Sequence, residues 1–153
     1  MYRREPVWDR RGRRSPAVTG NGRPMATPRI LIVEDERPLA DLLAQAFRDE
    51  GWEVGTAGDG LACMNQLVAL DPDVVIMDVM MPRLDGIDTT RLLRRNPRHA
   101  RTVVVVLTAR VDRATREAAL AAGADLVLTK PFDIGQLLES VENLRRERSG
   151  AGR

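Results

Sequence analysis

Asp78 ends the apolar run Val74-Val75-Ile76-Met77, and three other polar features stand at comparable places. Glu34-Asp35 follows Ile30 to Val33, Thr108 follows Val103 to Leu107, and Lys130 lies just past Leu126 to Leu128. An aliphatic run of this kind reads as a strand buried on both faces, so a polar group past its end is rigidly held yet reachable. If the ends converge, carboxylates about 4 Å apart repel by about 4 kcal/mol per pair at an effective dielectric near 20, more than one lysine offsets. A divalent cation is required. Hard oxygen ligands without histidine or cysteine point to Mg2+, which takes one or two carboxylates and keeps waters or phosphate oxygens. A cation, an ammonium and a hydroxyl around one carboxylate resemble a phosphoryl-transfer site, with Asp78 as nucleophile forming an aspartyl phosphate.

These groups depend on the elements that position them. Five apolar runs, Ile30 to Val33, a weaker one at Trp52 to Val54, Val74 to Met77, Val103 to Leu107 and Leu126 to Leu128, are each followed by helical spacing. The first helical segment places Leu39, Leu42, Leu43, Ala46 and Phe47 on one face, with Pro38 near its start. The last carries Ile134, Leu137, Leu138, Val141 and Leu144 behind a capping Asp133. Helices are expected also near Gly60 to Ala69, Ile87 to Arg95 and Arg113 to Ala122. Five alternations in about 120 residues predict an α/β fold: a five-stranded parallel sheet, doubly wound, with right-handed crossovers. The carboxyl ends of its strands form one rim, so the polar features converge.

Composition narrows the class further. At 153 residues, with 43% hydrophobic and 30% charged side chains, the chain fits one soluble domain with flanking tails. Its longest aliphatic stretch, Val103 to Leu107, is far below the roughly 18 apolar residues of a membrane span. The first 24 residues hold seven arginines against Glu5 and Asp9, whereas the remainder carries 17 basic and 20 acidic residues. Residues 1–28 are therefore expected to be a disordered basic tail. An arm for nucleic acid or acidic surfaces is the lesser reading; a start of translation at Met25 is preferred. The segment Ser15 to Gly22 lacks the apolar core of about 7 to 15 residues that a signal peptide needs. Cys63 is the single cysteine, which excludes an intrachain disulfide and suits a reducing, cytoplasmic setting. The domain is expected over residues 29–147, with a short disordered tail at 148–153.

Four motifs in order carry a resemblance: Ile30-Leu31-Ile32-Val33-Glu34-Asp35, Met77-Asp78-Val79-Met80-Met81-Pro82-Arg83-Leu84-Asp85-Gly86, Leu107-Thr108-Ala109 and Thr129-Lys130-Pro131-Phe132. Together they resemble the receiver domain of two-component response regulators. The resemblance implies the flavodoxin-like, CheY-like (βα)5 fold with strand order 2-1-3-4-5. It implies that Asp78 accepts a phosphoryl group from a histidine kinase or phosphotransfer protein. It also implies that Glu34, Asp35, Asp78 and the Met80 backbone carbonyl hold Mg2+, and that Thr108 and Lys130 bind phosphoryl oxygens. The Lys130-Pro131 bond is one that is often cis in the family, which would aim the lysine into the site. Glu34 stands where many relatives have Asp, so its metal contact could run through water. The implied output is a downstream protein at the face of helix four, strand five and helix five. A homodimer through helices four and five stays open, and neither nucleic acid nor membrane is expected as a partner.

One position departs from the family pattern. Three residues before the lysine, many receivers carry Tyr or Phe that swings inward on activation, and here the residue is Val127. A graded response is expected, transmitted through Thr108 and the Lys130-Pro131 segment without an aromatic swing. Met80 and Arg110, positions that influence dephosphorylation in relatives, offer no water-positioning amide or carboxylate, so a long-lived phosphate is expected. The leading expectation is a stand-alone receiver switch that catalyses only its own phosphorylation and slow autodephosphorylation. A phosphorylation-independent interaction module and a phosphorelay intermediate or phosphate sink stand as alternatives. A phosphohydrolase is disfavoured because Met80 occupies the place of its second acid. Taken singly, Glu34-Asp35-Glu36 reads as an acidic loop opening a helix, Thr108 as a strand terminator and Lys130 as a solvated charge; their co-occurrence carries the reading. Asp85 and Asp88 are expected to cap or solvate the third helix, His99 to sit in a polar loop, and Cys63 to pack on the second helix. Arg110, Arg113 and Arg116 read as a solvated face of the fourth helix.

Overall fold

The inner strands form where aliphatic residues run without interruption, because helices cover both faces of the sheet there, while the edge strands keep exposed positions at Glu53, Thr56 and Thr129. The computed structural model describes residues 27–81, 84–110 and 112–150, with side chains up to 148. The Arg-rich stretch before residue 27, including Met25, lies outside the described residues, as do residues 151–153. In order, the elements are β1 (Arg29–Val33), α1 (Arg37–Asp49), β2 (Glu53–Ala57), α2 (Gly60–Leu70), β3 (Val74–Asp78) and α3 (Gly86–Arg95). A 3-10 turn at Pro97–His99 leads to β4 (Val103–Thr108), α4 (Arg113–Ala122), β5 (Leu126–Thr129) and α5 (Ile134–Gly150). All strands are parallel in the order β2-β1-β3-β4-β5, the doubly wound arrangement that the alternation predicts.

Side-chain alternation divides the sheet into two cores. Leu31, Val33, Val75, Met77, Val104 and Val106 point to one layer, where they meet Cys63 and Leu67 of α2, Leu93 of α3 and Ala119 of α4. Their neighbours Ile30, Ile32, Ile76, Val105 and Leu107 point the other way, onto Leu43 and Phe47 of α1 and Leu137 and Val141 of α5. Cys63 is fully buried, and burial pushes its thiol up to about 12. Phe47 meets Trp52 edge-on at 5.5 Å, and the Arg145 guanidinium lies 5.6 Å from the Trp52 ring.

Three local expectations are corrected. In α1 the buried stripe is Ala40, Leu43, Ala44 and Phe47, the i, i+3, i+4, i+7 set, while Leu42 is 52% exposed. The two alanines bring α1 close to the sheet, and Leu42 falls beyond that stripe. Secondly, α5 runs to Gly150, beyond the expected boundary at Glu147. Arg148 is anchored there: its guanidinium donates to Asp125, and its carbonyl accepts from Arg101 at 2.7 Å. Asp125 also accepts from Arg94 and from the Val104 N–H, each at 2.9 Å. Arg94 donates further to the carbonyls of His99 and Gly123 at 3.0 Å and of Thr102 at 2.6 Å. One guanidinium thereby ties α3, the 3-10 turn and the loops flanking β4 and β5.

Thirdly, His99 is buried, with 2% of its surface exposed, although its neighbours in sequence are polar. Asn96 winds the loop inward, its side chain accepting from the Arg98 N–H and its carbonyl from the His99 N–H. The ring Nδ1 has no hydrogen-bond partner. Burial lowers the His99 pKa from 6.5, against the raising effect of Asp71 and with the repulsion of Arg98. The unfolded chain therefore binds this proton more tightly than the native one, and the stability His99 contributes is complete above pH 6.5 and lost as pH falls through the native value. As the only histidine in the chain, it gives one set of ring resonances, which should titrate in NMR with a midpoint below 6.5. A midpoint at or above that value would contradict the buried neutral imidazole.

Candidate functional site

Parallel register sets the rim. Val33 pairs with Met77, Asp78 with Leu107 and Thr108 with Thr129, so Glu34, Asp78, Thr108 and Lys130 follow one another across four adjacent strand ends. The Lys130 N–H donates to the Thr108 carbonyl at 2.8 Å, fixing the end of β5 against β4. The Lys130-Pro131 peptide bond is cis.

The side chains meet at this rim. Lys130 Nζ donates to Glu34 Oε1 at 2.7 Å and to Asp78 Oδ2 at 3.1 Å. The other oxygen of Asp78, Oδ1, accepts from the Met80 N–H at 3.1 Å, so both oxygens are oriented while keeping free lone pairs. Glu34 and Asp78 are each only 4% exposed, whereas Asp35 is exposed. Burial, reinforced by neighbouring Asp78, pushes Glu34 up to about 8 against the lowering effect of Lys130. For Lys130, burial alone would lower the pKa, but the hydrogen bonds to Glu34 and Asp78 outweigh it and raise it. Thr108 is buried, and its Oγ accepts from the Arg110 N–H at 3.0 Å, which leaves the hydroxyl proton to be donated elsewhere.

A divalent cation fits this donor set. Glu34, Asp35 and Asp78 each bring a carboxylate oxygen within 4.8 Å of the others. At that separation each charged pair repels by about 3.5 kcal/mol at an effective dielectric near 20. Lys130 is the one cation bonded to the trio among the described residues. Glu34 Oε2 is buried without a hydrogen-bond partner, a state that costs about 1 to 3 kcal/mol unless a ligand satisfies it. Glu34 and Asp35 also line an open cleft of about 320 Å³ with Arg37, Asp41, Thr56 and Gly58, which gives access to the rim.

Around the rim, sequence reasoning located the charged groups and missed part of their support. A Cβ at Gly86 would clash with the carbonyl oxygen of Asp78, so only glycine lets the start of α3 close against β3. The Gly86 N–H donates to the Val79 carbonyl at 3.1 Å, completing that close approach. The pair Asp85-Gly86 was visible, but the partner of the glycine is a backbone atom with no sequence signature. Asp85 caps α3 by accepting from the Asp88 N–H at 2.8 Å, and Asp88 pairs with Arg91, so neither belongs to the acidic trio. Val127 pairs with Val106 in the β4–β5 register and packs against the core layer under α2, α3 and α4. Met80 is 54% exposed.

A family model for the response regulator receiver domain matches residues 30–142. The chain belongs to this family. It is 40% identical over 118 residues to the probable transcriptional regulatory protein TcrX of Mycobacterium tuberculosis, covering 76% of this chain and 49% of that protein. The chain thus spans about half the length of the curated relatives it matches. Among solved structures, a putative response regulator from Chloroflexus aurantiacus aligns with a TM-score of 0.74 at 32% identity, over 78% of this chain and 98% of that one. The receiver domain of the sensor histidine kinase PA1611 from Pseudomonas aeruginosa aligns with a TM-score of 0.72 at 29% identity, over 78% and 98%. That structure is described with a magnesium ion coordinated in its active-site cleft. Receiver domains are phosphoacceptor switches rather than conventional enzymes, and they meet histidine kinases or phosphotransfer proteins.

The geometry of the trio predicts a single Mg2+ site. Calorimetric titration of Mg2+ should give one-to-one binding, and Asp35→Asn, a change at an exposed position, should weaken it at least about tenfold. Unchanged affinity in that variant would place the cation elsewhere.

Proposed function

We propose that residues 29–150 form a phosphorylation-dependent switch in which Asp78 accepts a phosphoryl group from a phosphohistidine of a kinase or phosphotransfer protein. The observation that carries this reading is the Asp78 carboxylate itself, buried at a strand end and held by Lys130 Nζ on one oxygen and the Met80 N–H on the other. In the transfer a carboxylate oxygen attacks phosphorus, the phosphorus–nitrogen bond breaks, and the imidazole keeps the electron pair. Glu34, Asp35, Asp78 and the Met80 carbonyl would hold Mg2+, whose charge offsets that of the incoming phosphoryl oxygens when bound. Lys130 donates to one phosphoryl oxygen and the Thr108 hydroxyl to another. Lys130 must loosen its bond to Asp78 in doing so, which links occupancy of the site to the position of the loop behind β5.

That link sets the size of the response. A charge-assisted hydrogen bond from Thr108 contributes about 1.5 to 3 kcal/mol, while moving a population from 1:99 to 99:1 needs about 5.5 kcal/mol. Val127 supplies no aromatic ring to swing, so the remainder rests on Lys130. The output is a graded shift of the face made by α4, β5 and α5, read by a protein partner. Neither Met80 nor Arg110, which flank the phosphoryl group, offers an amide or carboxylate to position a hydrolytic water, and the acyl phosphate is long-lived.

Incubation with Mg2+ and a small-molecule phosphodonor should add the mass of one phosphoryl group to the intact protein. The adduct should be absent in Asp78→Asn and in the presence of a chelator. A wild-type protein that gains no adduct would instead support a module that keeps the fold without the chemistry. In the beryllofluoride complex, NMR shifts on α4, β5 and α5 should move part of the way between two end points; full two-state displacement would overturn the graded response.

A further inference from the structure

The amino ends of β3 and β4 carry a second charged feature. An open cleft of about 320 Å³ is lined there by Arg98, Arg101, Arg145 and Arg148 around Thr102, together with Asp71 and Asp73. It is remote from the phosphoacceptor rim. Thr102 and Thr108 are separated by the length of β4, about 20 Å at roughly 3.3 Å per residue.

The acids near this cleft are already shared. Glu142 Oε1 receives both Arg145 at 2.6 Å and Arg146 at 3.2 Å. Asp125 receives both Arg94 at 2.9 Å and Arg148. Asp71 meets Arg98 at 3.4 Å with both side chains well exposed, a weak pair, and Asp73 accepts the backbone N–H of Arg29. Among the described residues Arg101 has no carboxylate partner; its guanidinium donates to the Arg148 carbonyl. Four guanidinium groups, those of Arg98, Arg101, Arg145 and Arg148, line the cleft against two carboxylates, Asp71 and Asp73, a local excess of two positive charges. Residues 25–153 as a whole carry 17 basic and 20 acidic side chains, so this excess is a property of the cleft and not of the domain.

We infer that the cleft binds a small phosphate-bearing anion of diphosphate size. Guanidinium groups match phosphate oxygens two bonds at a time, and they do so best when held in place beforehand. Arg148 is fixed by Asp125, and Arg145 by Glu142 and the Trp52 ring. The volume lies at the low end of the range for small-molecule sites, about 300 to 1,000 Å³, enough for a diphosphate or its nucleoside ester.

Sodium pyrophosphate, titrated into nitrogen-15-labelled protein free of divalent cations, tests the site directly. Saturable shifts are expected at the amides of Arg101, Thr102 and Val103. Arg101→Gln, at an exposed position, should weaken binding at least tenfold while leaving the rest of the spectrum in place, and Arg98→Gln serves as an independent second variant. Adenosine diphosphate in a parallel titration distinguishes the sources: shifts at the same amides with tighter binding would assign the site to a nucleoside ester, and equal or weaker binding to free diphosphate. Shifts confined to Thr108, Arg110 and Lys130, equal affinity in both variants, or binding of a single-stranded oligonucleotide without pyrophosphate would each overturn the inference.

Discussion

A single ammonium group, Lys130 Nζ, stands between two carboxylates that are almost wholly removed from solvent. Glu34 is 96 residues away in the chain and Asp78 is 52, so the contact exists only when β1, β3 and β5 hold their places in the sheet. Removing one member of a buried, hydrogen-bonded charge set leaves its partners uncompensated, at about 3 to 5 kcal/mol. The aliphatic layers on either side of the sheet offset the burden of keeping such charge out of water. The scaffold therefore holds carboxyl groups closer than free charges would settle, and burial together with that enforced proximity is what pushes Glu34 up to about 8.

The two ends of the strands have opposite electrostatic character. Carboxylates gather where β1 and β3 finish, while arginines gather where β3 and β4 begin. The last turns of α5 contribute Arg145, Arg146 and Arg148 to the basic end, where they lie near the helix carbonyls and oppose the negative pole of its dipole. A charged partner approaching along the strand direction meets a different sign at each end.

Much of this was legible in the sequence because chemistry and fold share the same residues. The runs ending at Val33, Met77 and Leu107 are uninterrupted and apolar, and Glu34, Asp78 and Thr108 stand immediately after them, with Lys130 two residues past the shorter run that ends at Leu128. The apolar pattern predicts the second strand at Trp52 to Val54, and it lies at Glu53–Ala57, since an edge strand holding Gly55 and Thr56 has only weak apolar character. Contacts to backbone atoms were invisible in principle. Nothing in the residue types around Arg94 announces that its guanidinium serves the carbonyls of His99, Thr102 and Gly123, and nothing around His99 announces that Asn96 turns it inward. A helical wheel for α1 selects Leu42 by hydrophobicity, whereas proximity to the sheet selects Ala40 and Ala44 by size.

Cys63, enclosed between α2 and the sheet with its thiol held protonated at neutral pH, has a practical consequence for work on this domain. The thiolate is the form that oxidants and alkylating reagents attack, and here it is both scarce and inaccessible. Oxidation at cysteine is therefore closed to this domain, whereas the thioether of exposed Met80, two residues past Asp78, stays open to it. A cysteine introduced on the exposed surface of α4, at Arg116 for example, would be the only thiol a maleimide dye finds, so motion of that helix can be followed by fluorescence without replacing the native residue.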